Sequence, residues 1–186
     1  MYTTYPDKGT VVNIRWMVRR DMPEVLSIEI ESFEFPWTED DFMCCLRKRD
    51  CIGMVAEAKR NEIVGFMVYE LRKTTIHLIN FAVHSNWRRQ SIGNQMMEKL
   101  ITKLSQQKRQ EITTEIRETN LSAQLFFRKC GFKATRTLHR YYVETPEEVY
   151  VMQYRHKTCP DKTEKPNDFL PAKLINLPRF NPYYDH

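Results

Sequence analysis

Arg88-Arg89-Gln90-Ser91-Ile92-Gly93 decides the reading of this 186-residue chain. An apolar run, Ile76 to Val83, reads as a strand before it, and an amphipathic stretch, Ile92 to Lys108, reads as a helix after it. The first amides of a helix have no partner within the helix, and its dipole places partial positive charge there. A strand, a tight basic turn and a helix N-terminus therefore make an anion site. Arg88 and Arg89 add full charges suited to phosphate oxygens. Taken alone, these six residues are equally compatible with a solvated basic loop.

Working outward, Ile14 to Val18 reads as a strand. Asp21, Pro23 and Glu24 form a helix start, with Asp21 as cap and Glu24 closing a capping box. Leu26, Ile30 and Phe33 share one face of that helix. Pro36 interrupts it, and Thr38 with Asp41 starts a second helix reaching about Arg47. Three strand-like runs follow: Cys51 to Ala58, Ile63 to Leu71 and Thr75 to His84, the first two joined by a polar hairpin at 59–62. Beyond the long helix, Glu111 to Arg117 is a strand. Asn120 to Cys130 is a helix with Gly131 as its left-handed cap, and Phe132 to Val143 and Val149 to Tyr154 close the pattern as strands.

The chain is long enough for one domain with a core: 41% of it is hydrophobic, and it has only five glycines. No apolar run approaches the ~20 residues of a membrane span, and no signal-peptide core is present, so no membrane partner is expected. Cys44, Cys45, Cys51, Cys130 and Cys159 are odd in number and scattered, which argues against a disulfide framework or structural zinc and fits a reducing cytoplasm. His77, His84 and His139 lack metal spacing and read as structural or surface residues; no metal is expected. A net charge of +5 suits a polyanionic ligand, but no nucleic-acid site is predicted. Residues 1–12 read as a frayed lead-in and 13–156 as the domain. Residues 157–186, with five of the nine prolines, read as an extended tail of unassigned role.

The order β-α-α-β-β-β-α-β-α-β-β with a basic turn after the fourth strand resembles the GNAT superfamily of acyl-CoA-dependent N-acetyltransferases. That family carries Q/R-x-x-G-x-G/A at this turn; Arg88 and Gly93 match, and Ser91 replaces the first glycine. More narrowly, Phe35-Pro36-Trp37-Thr38-Glu39, Asn80-Phe81-Ala82-Val83, Glu115 to Asn120, Cys130-Gly131-Phe132 and Arg140-Tyr141-Tyr142 resemble the RimI group. Members of that group acetylate the N-terminal amine of a small-subunit ribosomal protein. The resemblance spans about residues 13–154. It implies an α/β GNAT fold, a mixed twisted sheet of about seven strands with four helices, and acetyl-CoA as cosubstrate.

For the cofactor the resemblance implies the turn Arg88, Arg89, Gln90, Ser91, Ile92, Gly93 and Asn94 against the pyrophosphate, with Asn120 as a further contact or as a helix cap. Phe81, Ala82 and Val83 would pair through their backbone with the pantetheine arm, and one of their amides would face the oxyanion. A non-glycine residue at Ser91 costs roughly 1 kcal/mol or more if the position needs positive φ. For the chemistry, Glu115 matches the family's general base; read without the family, it is a solvated carboxylate paired with Arg117. An α-amine has a reference pKa of about 7.7–8.0 against about 10.4 for lysine, so a carboxylate suffices to take its proton. The family's proton-donating tyrosine falls on Phe127, which cannot donate. Either the thiolate leaves unaided or Tyr141 or Tyr142 delivers the proton. Phe35, Pro36, Trp37, Tyr141 and Tyr142 would wall the substrate, with core packing the other reading for one of Phe35 and Trp37. The expected function is acetylation of a protein N-terminus, a ribosomal protein being the example the resemblance supplies. A lysine or small-amine acetyltransferase, or a catalytically weak acyl-CoA-binding module, stays open.

Overall fold

The computed structural model describes residues 9–105, 108–138 and 148–156. Seven strands form one sheet in the order β1-β2-β3-β4-β5-β7-β6. They are β1 (Asn13–Trp16), β2 (Cys51–Glu57), β3 (Ile63–Leu71), β4 (Thr75–Val83), β5 (Glu111–Arg117), β6 (Lys133–Leu138) and β7 (Val149–Arg155). All neighbours are antiparallel except β4 and β5. A parallel pair needs a crossover, which α3 (Ile92–Ile101) provides. The mixed α/β architecture is the one expected from the sequence.

β3 is buried at every residue from Ile63 to Tyr69, which explains its unbroken apolar run: helices cover both faces of the sheet there. On one face α1 (Met22–Ser32) and α2 (Glu39–Leu46) bury Val25, Ile28 and Phe42 against Val55, Phe66 and Val68. On the other, α3 and α4 (Leu121–Lys129) bury Met96, Met97, Leu100 and Phe127 against Met67, Tyr69, Leu78 and Ile112. Each fully buried side chain of this size contributes about 1.5–3 kcal/mol.

α2 starts on the capping box read from the sequence: Thr38 donates its backbone amide to Asp41 Oδ2 (2.8 Å), and its Oγ1 accepts from the Asp41 amide (3.3 Å). Gly131 sits at φ 93°, the left-handed residue that ends α4.

Three expectations change. Asp21 precedes α1 but makes no side-chain cap there. Its carboxylate instead accepts from the Val18 amide (2.9 Å) and from both terminal nitrogens of Arg15 (2.7 and 2.9 Å), because a bidentate guanidinium outweighs one capped amide. The long helix ends at Ile101 rather than Lys108. Lys103 and Leu104 donate three residues back, tightening the last turn, and Thr102 Oγ1 donates to the Lys99 carbonyl (2.8 Å). Leu104 stays buried, so the apolar pattern runs past the helix that carries it. The cysteines are not all scattered: Cys45 and Cys51 meet as buried free thiols where α2 delivers the chain to β2.

Candidate active site

β4 and β5 are in register only from Thr75 to His77, opposite Glu111 to Thr113. On its other side β4 stays paired with β3 as far as Val83. Beyond His77 the β4 backbone therefore has one edge with no strand partner, and it opens toward the N-terminus of α3. β5 meanwhile stays paired with β7 through Arg117. At the fork between the two strands, open sheet backbone, a helix N-terminus and the partly buried hydrogen-bond network of Arg72, His77 and Glu115 come together. An open edge of this kind accepts an extended chain as an added strand. Phe81, Ala82 and Val83 lie on this edge.

The turn leading into α3 is strained. Arg89 and Ser91 both have left-handed backbones, φ 64° and 60°. Such geometry curls successive N–H groups toward one point, making an anion-binding concavity. Ser91 occupies the cap position without a side-chain cap, so the first amides of α3 keep no partner of their own. The two arginines differ. Arg88 Nε donates to the Val83 carbonyl (3.0 Å) and its NH2 to Ser32 Oγ (3.2 Å), tying the turn to β4 and α1. Its guanidinium braces the turn through these two bonds. Arg89 is exposed with no hydrogen bond or ion pair among the described residues, so its charge is available to an anion.

Gly93 has a packing role, since an added Cβ would lie 3.1 Å from the Phe126 ring. Phe126 in turn stacks on Phe81 at 5.5 Å, closing the floor under the open strand. The lead-in also reaches this turn. Thr10 Oγ1 donates to Gln90 Oε1 (2.6 Å), and Gln95 Nε2 donates to the Thr10 carbonyl (2.8 Å). Residues 9–12 thus brace the loop rather than fray.

Ile112 and Ile116 point into the α3–α4 core, so the alternate residues Thr113, Glu115 and Arg117 face the α1 side. There Glu115 does not pair with Arg117. Its Oε2 lies 2.5 Å from His77 Nε2, and Arg117 pairs instead with Glu34 Oε2 (2.9 Å) while stacking over the Phe35 ring at 5.1 Å. His77, read as structural or surface from the sequence, is buried and belongs to the site. A histidine inside the apolar run Ile76–Leu78 was the available signal, since a buried imidazole requires partners.

Phe35 and Trp37 divide as the two readings allowed. Phe35 is exposed beside Arg117 together with Pro36, and Trp37 is core, edge-on to Phe42 at 5.1 Å. The Trp37 amide donates to Glu29 Oε1 (2.8 Å), and Asn80 Nδ2 donates to Glu29 Oε2 (3.0 Å). Fixing the Asn80 nitrogen on Glu29 turns its Oδ1 the other way, where it is buried without a partner and available to an incoming N–H. Asn80 and Glu29 were not singled out as site residues; a buried glutamate on a helix is visible only once the helix is placed.

Phe127 is buried among Phe81, Phe126 and Phe132, with ring centroids 5.1–6.0 Å apart. It offers no proton. Asn120 caps α4, its Oδ1 accepting from the Ala123 amide (3.0 Å), which leaves the amide nitrogen free for a cofactor contact. Burial pushes the Cys130 thiol up to about 11, so it is no nucleophile. Tyr141, Tyr142, His139 and the tail from 157 onward lie outside the described residues. Among the described residues no group of His, Cys, Asp or Glu could hold a metal ion, and no helix is long and apolar enough to cross a membrane.

The model of the acetyltransferase (GNAT) family matches residues 13–132. The Escherichia coli [ribosomal protein bS18]-alanine N-acetyltransferase is 25% identical over 134 residues, 71% of this chain and 89% of that protein. The crystal structure of the E. coli ribosomal-protein-S18-alanine N-acetyltransferase superposes with a TM-score of 0.70 at 20% identity, covering 83% of this chain and all of that one. Ard1 from Thermoplasma volcanium gives the same TM-score at 25% identity, over 77% and 97% of the two chains. The match spans β1 through the end of α4, the elements that build the fork and its basic turn, and the chain belongs to the acetyltransferase (GNAT) family.

Proposed function

We propose that this protein transfers the acetyl group of acetyl-CoA to the α-amino group of a protein N-terminus, with Glu115 as the general base. The observation that carries the reading is the fork: open backbone at 79–83 beside an uncapped helix start, with a carboxylate on the facing strand. The pyrophosphate binds the amides between Arg89 and Asn94, with the Arg89 guanidinium adding charge. Pantetheine runs along Phe81 to Val83, which brings the thioester to the mouth of the fork. The amine loses a proton to Glu115, directly or through one water, and attacks the carbonyl carbon. A backbone N–H of the same segment stabilises the tetrahedral oxyanion. Collapse breaks the C–S bond, and coenzyme A leaves as a thiolate. A thiol reference pKa near 8.5 permits that without an acid at Phe127.

The α-amine is favoured over lysine because a lone carboxylate is better matched to an amine with reference pKa about 8 than to one near 10.4. Phe35 and Arg117 form the exposed wall where the first residues of a peptide would lie. The relatives named for bS18 alanine make an alanine-initiated ribosomal-protein peptide the first substrate to try. The test is turnover of acetyl-CoA with three acceptors: that peptide, the same peptide with a blocked N-terminus and an internal lysine, and a small polyamine. Mass spectrometry should find acetyl on the α-amine of the first alone. Product on lysine or polyamine would replace this reading, and tight acetyl-CoA binding without any product would make the protein a binding module.

A further inference from the structure

We propose that His77 is a positioning residue that aims the Glu115 carboxylate into the fork, and that Arg72 sets the tautomer in which it does so. This inference rests on the reading of Glu115 as the base. The network runs across the foot of the fork. Arg72, at the β3–β4 hairpin, places NH2 2.8 Å from His77 Nδ1 and Nε 2.7 Å from Glu70 Oε2. His77 Nε2 meets Glu115 Oε2, and Glu70 Oε2 stands 4.0 Å from His77 Nδ1. A guanidinium nitrogen can only donate. His77 Nδ1 must therefore accept, and the ring proton sits on Nε2, from where it donates to Glu115. The tautomer follows from chemistry once Arg72 is in place.

That assignment limits what His77 can do. It cannot take a proton from the substrate, because Nε2 already carries one and Nδ1 is occupied by Arg72. It is not a relay. What it supplies is a fixed donor: it pins Oε2 and leaves the other oxygen of Glu115 as the one that can receive the amine proton. The position is rigid for two reasons. His77 is buried at 2% exposure, and it sits on the last residue pair that joins β4 to β5, immediately before the open segment. Glu115 itself stands two residues beyond Thr113, the partner of His77 in that pair. Without the imidazole a carboxylate at the edge of the fork would sample several rotamers, and only some point inward.

The test compares kcat and KM for His77→Leu and His77→Gln, each alone and combined with Glu115→Gln, in the full chain. His77→Leu should lower kcat about 10- to 100-fold, as expected for losing a hydrogen bond to a charged group, with the KM for acetyl-CoA unchanged. His77→Gln, whose amide can still donate to Glu115, should recover most of that loss. On the Glu115→Gln background His77→Leu should add no further loss. Independently of any variant, the nitrogen NMR shifts of His77 in the unsubstituted protein should be those of the neutral Nε2–H form. Arg72→Met should shift the population toward the other tautomer. Wild-type kcat in His77→Leu beside a crippled Glu115→Gln would overturn the role of His77 alone. Equal losses on both backgrounds would mean that His77 only supports the fold and would likewise overturn it. So would an Nδ1–H or imidazolium spectrum. A fully active Glu115→Gln would overturn the base itself, and this inference with it.

Discussion

Helices α2 and α3 begin in opposite ways. α2 closes on itself: Thr38 and Asp41 satisfy each other's amides, and three acidic residues in the first turn meet the positive end of the dipole. α3 begins with a left-handed serine, has no side-chain cap and carries no acidic residue in its first turn. Each choice at α3 costs stability, since a left-handed non-glycine residue alone loses roughly 1–2 kcal/mol. The same contrast holds in the sheet. β2 and β3 are hydrogen-bonded on both sides, and β4 leaves one edge open beyond His77. The unsatisfied amides of α3 and the open edge of β4 lie next to one another, and their shared deficit is what a pyrophosphate and an extended pantetheine can fill. Left-handed residues also occur at Arg60 and Asn61 in the β2–β3 connection, so it is the coincidence of strain with uncapped amides and an open strand edge that singles out the turn before α3.

The largest effect expected from this contrast is at the open fork. Glu115→Gln keeps the side chain's volume and removes the proton acceptor, so kcat should fall about 10²–10⁴-fold. Acetyl-CoA affinity, measured by calorimetry, should stay the same, because no part of the proposed cofactor cradle involves this residue. A drop in affinity with unchanged kcat would reverse the assignment of Glu115.

Next in size is an attempt to make α3 begin like α2. Ser91→Asp suits the left-handed backbone, since aspartate is among the residues enriched there. It also supplies the missing acidic cap, which favours the helix by about 0.3–1 kcal/mol. Its charge would occupy the anion site. Affinity for acetyl-CoA should weaken about 30- to 100-fold, the equivalent of about 2–3 kcal/mol lost from charge-assisted contacts. The melting temperature should hold or rise. Loss of binding together with gain in stability is the signature of a site, and a variant that binds normally would remove the turn from the cofactor path.

How much of this was visible in the sequence differs from element to element. Ile63–Leu71 and Glu111–Arg117 were legible to the residue, because each is bounded by polar turns and filled with β-formers. The Thr38 box was legible because both partners lie within one turn. The strand, basic turn and helix start were legible in order, but not the different partners of Arg88 and Arg89, which depend on where β4 ends. The pairing of Glu115 was misread for a similar reason. Arg117 shares its face, but residues two apart on a strand stand roughly 7 Å apart, too far for a direct pair without reaching. Its true partner, His77, lies 38 residues away and becomes visible only through the register of a parallel strand pair. The end of α3 was hidden because Leu104 is buried whether or not the chain around it is helical.

The closed side of the molecule should respond to pH and not to cofactor. The Arg15 guanidinium, followed by the Val18 amide, holds the Asp21 carboxyl below the usual aspartate range despite its burial. The unfolded chain then binds this proton more readily than the folded one. The pair's stabilisation is complete above the ordinary aspartate value, about 3.9, and is lost as pH falls through it toward the folded-state value. Arg15→Met should cost about 1–3 kcal/mol at neutral pH, between the worth of a surface pair and a buried one. The gap between variant and parent should close in acid, and kcat at neutral pH should not change. A smaller probe of the same side is Thr38→Ala. It should lose about 1 kcal/mol of stability and leave acetyl-CoA affinity untouched, because α2 spends its capping on itself.

The smallest effect is also the sharpest test of the strain. Ser91→Gly removes the side chain that makes the left-handed turn costly, a gain of roughly 1–2 kcal/mol in the folded protein. Glycine also frees the unfolded chain, which returns about 0.5–1 kcal/mol. The balance favours the variant by about 0.5–1 kcal/mol, or about 1–4 °C in melting temperature for a chain of this size. Ser91 makes no cap hydrogen bond whose loss could offset this. Binding should tighten as well, since the serine Cβ no longer borders the approach to the amides of Ile92 and Gly93. If the variant melts lower, Ser91 holds the turn through a contact with the lead-in: Gly9 lies so close that an added Cβ there would come within 3.0 Å of Ser91 Cβ. The two outcomes differ in sign, so one thermal scan decides whether this serine is a tolerated strain in the anion site or the point where residues 9–12 lock it in place.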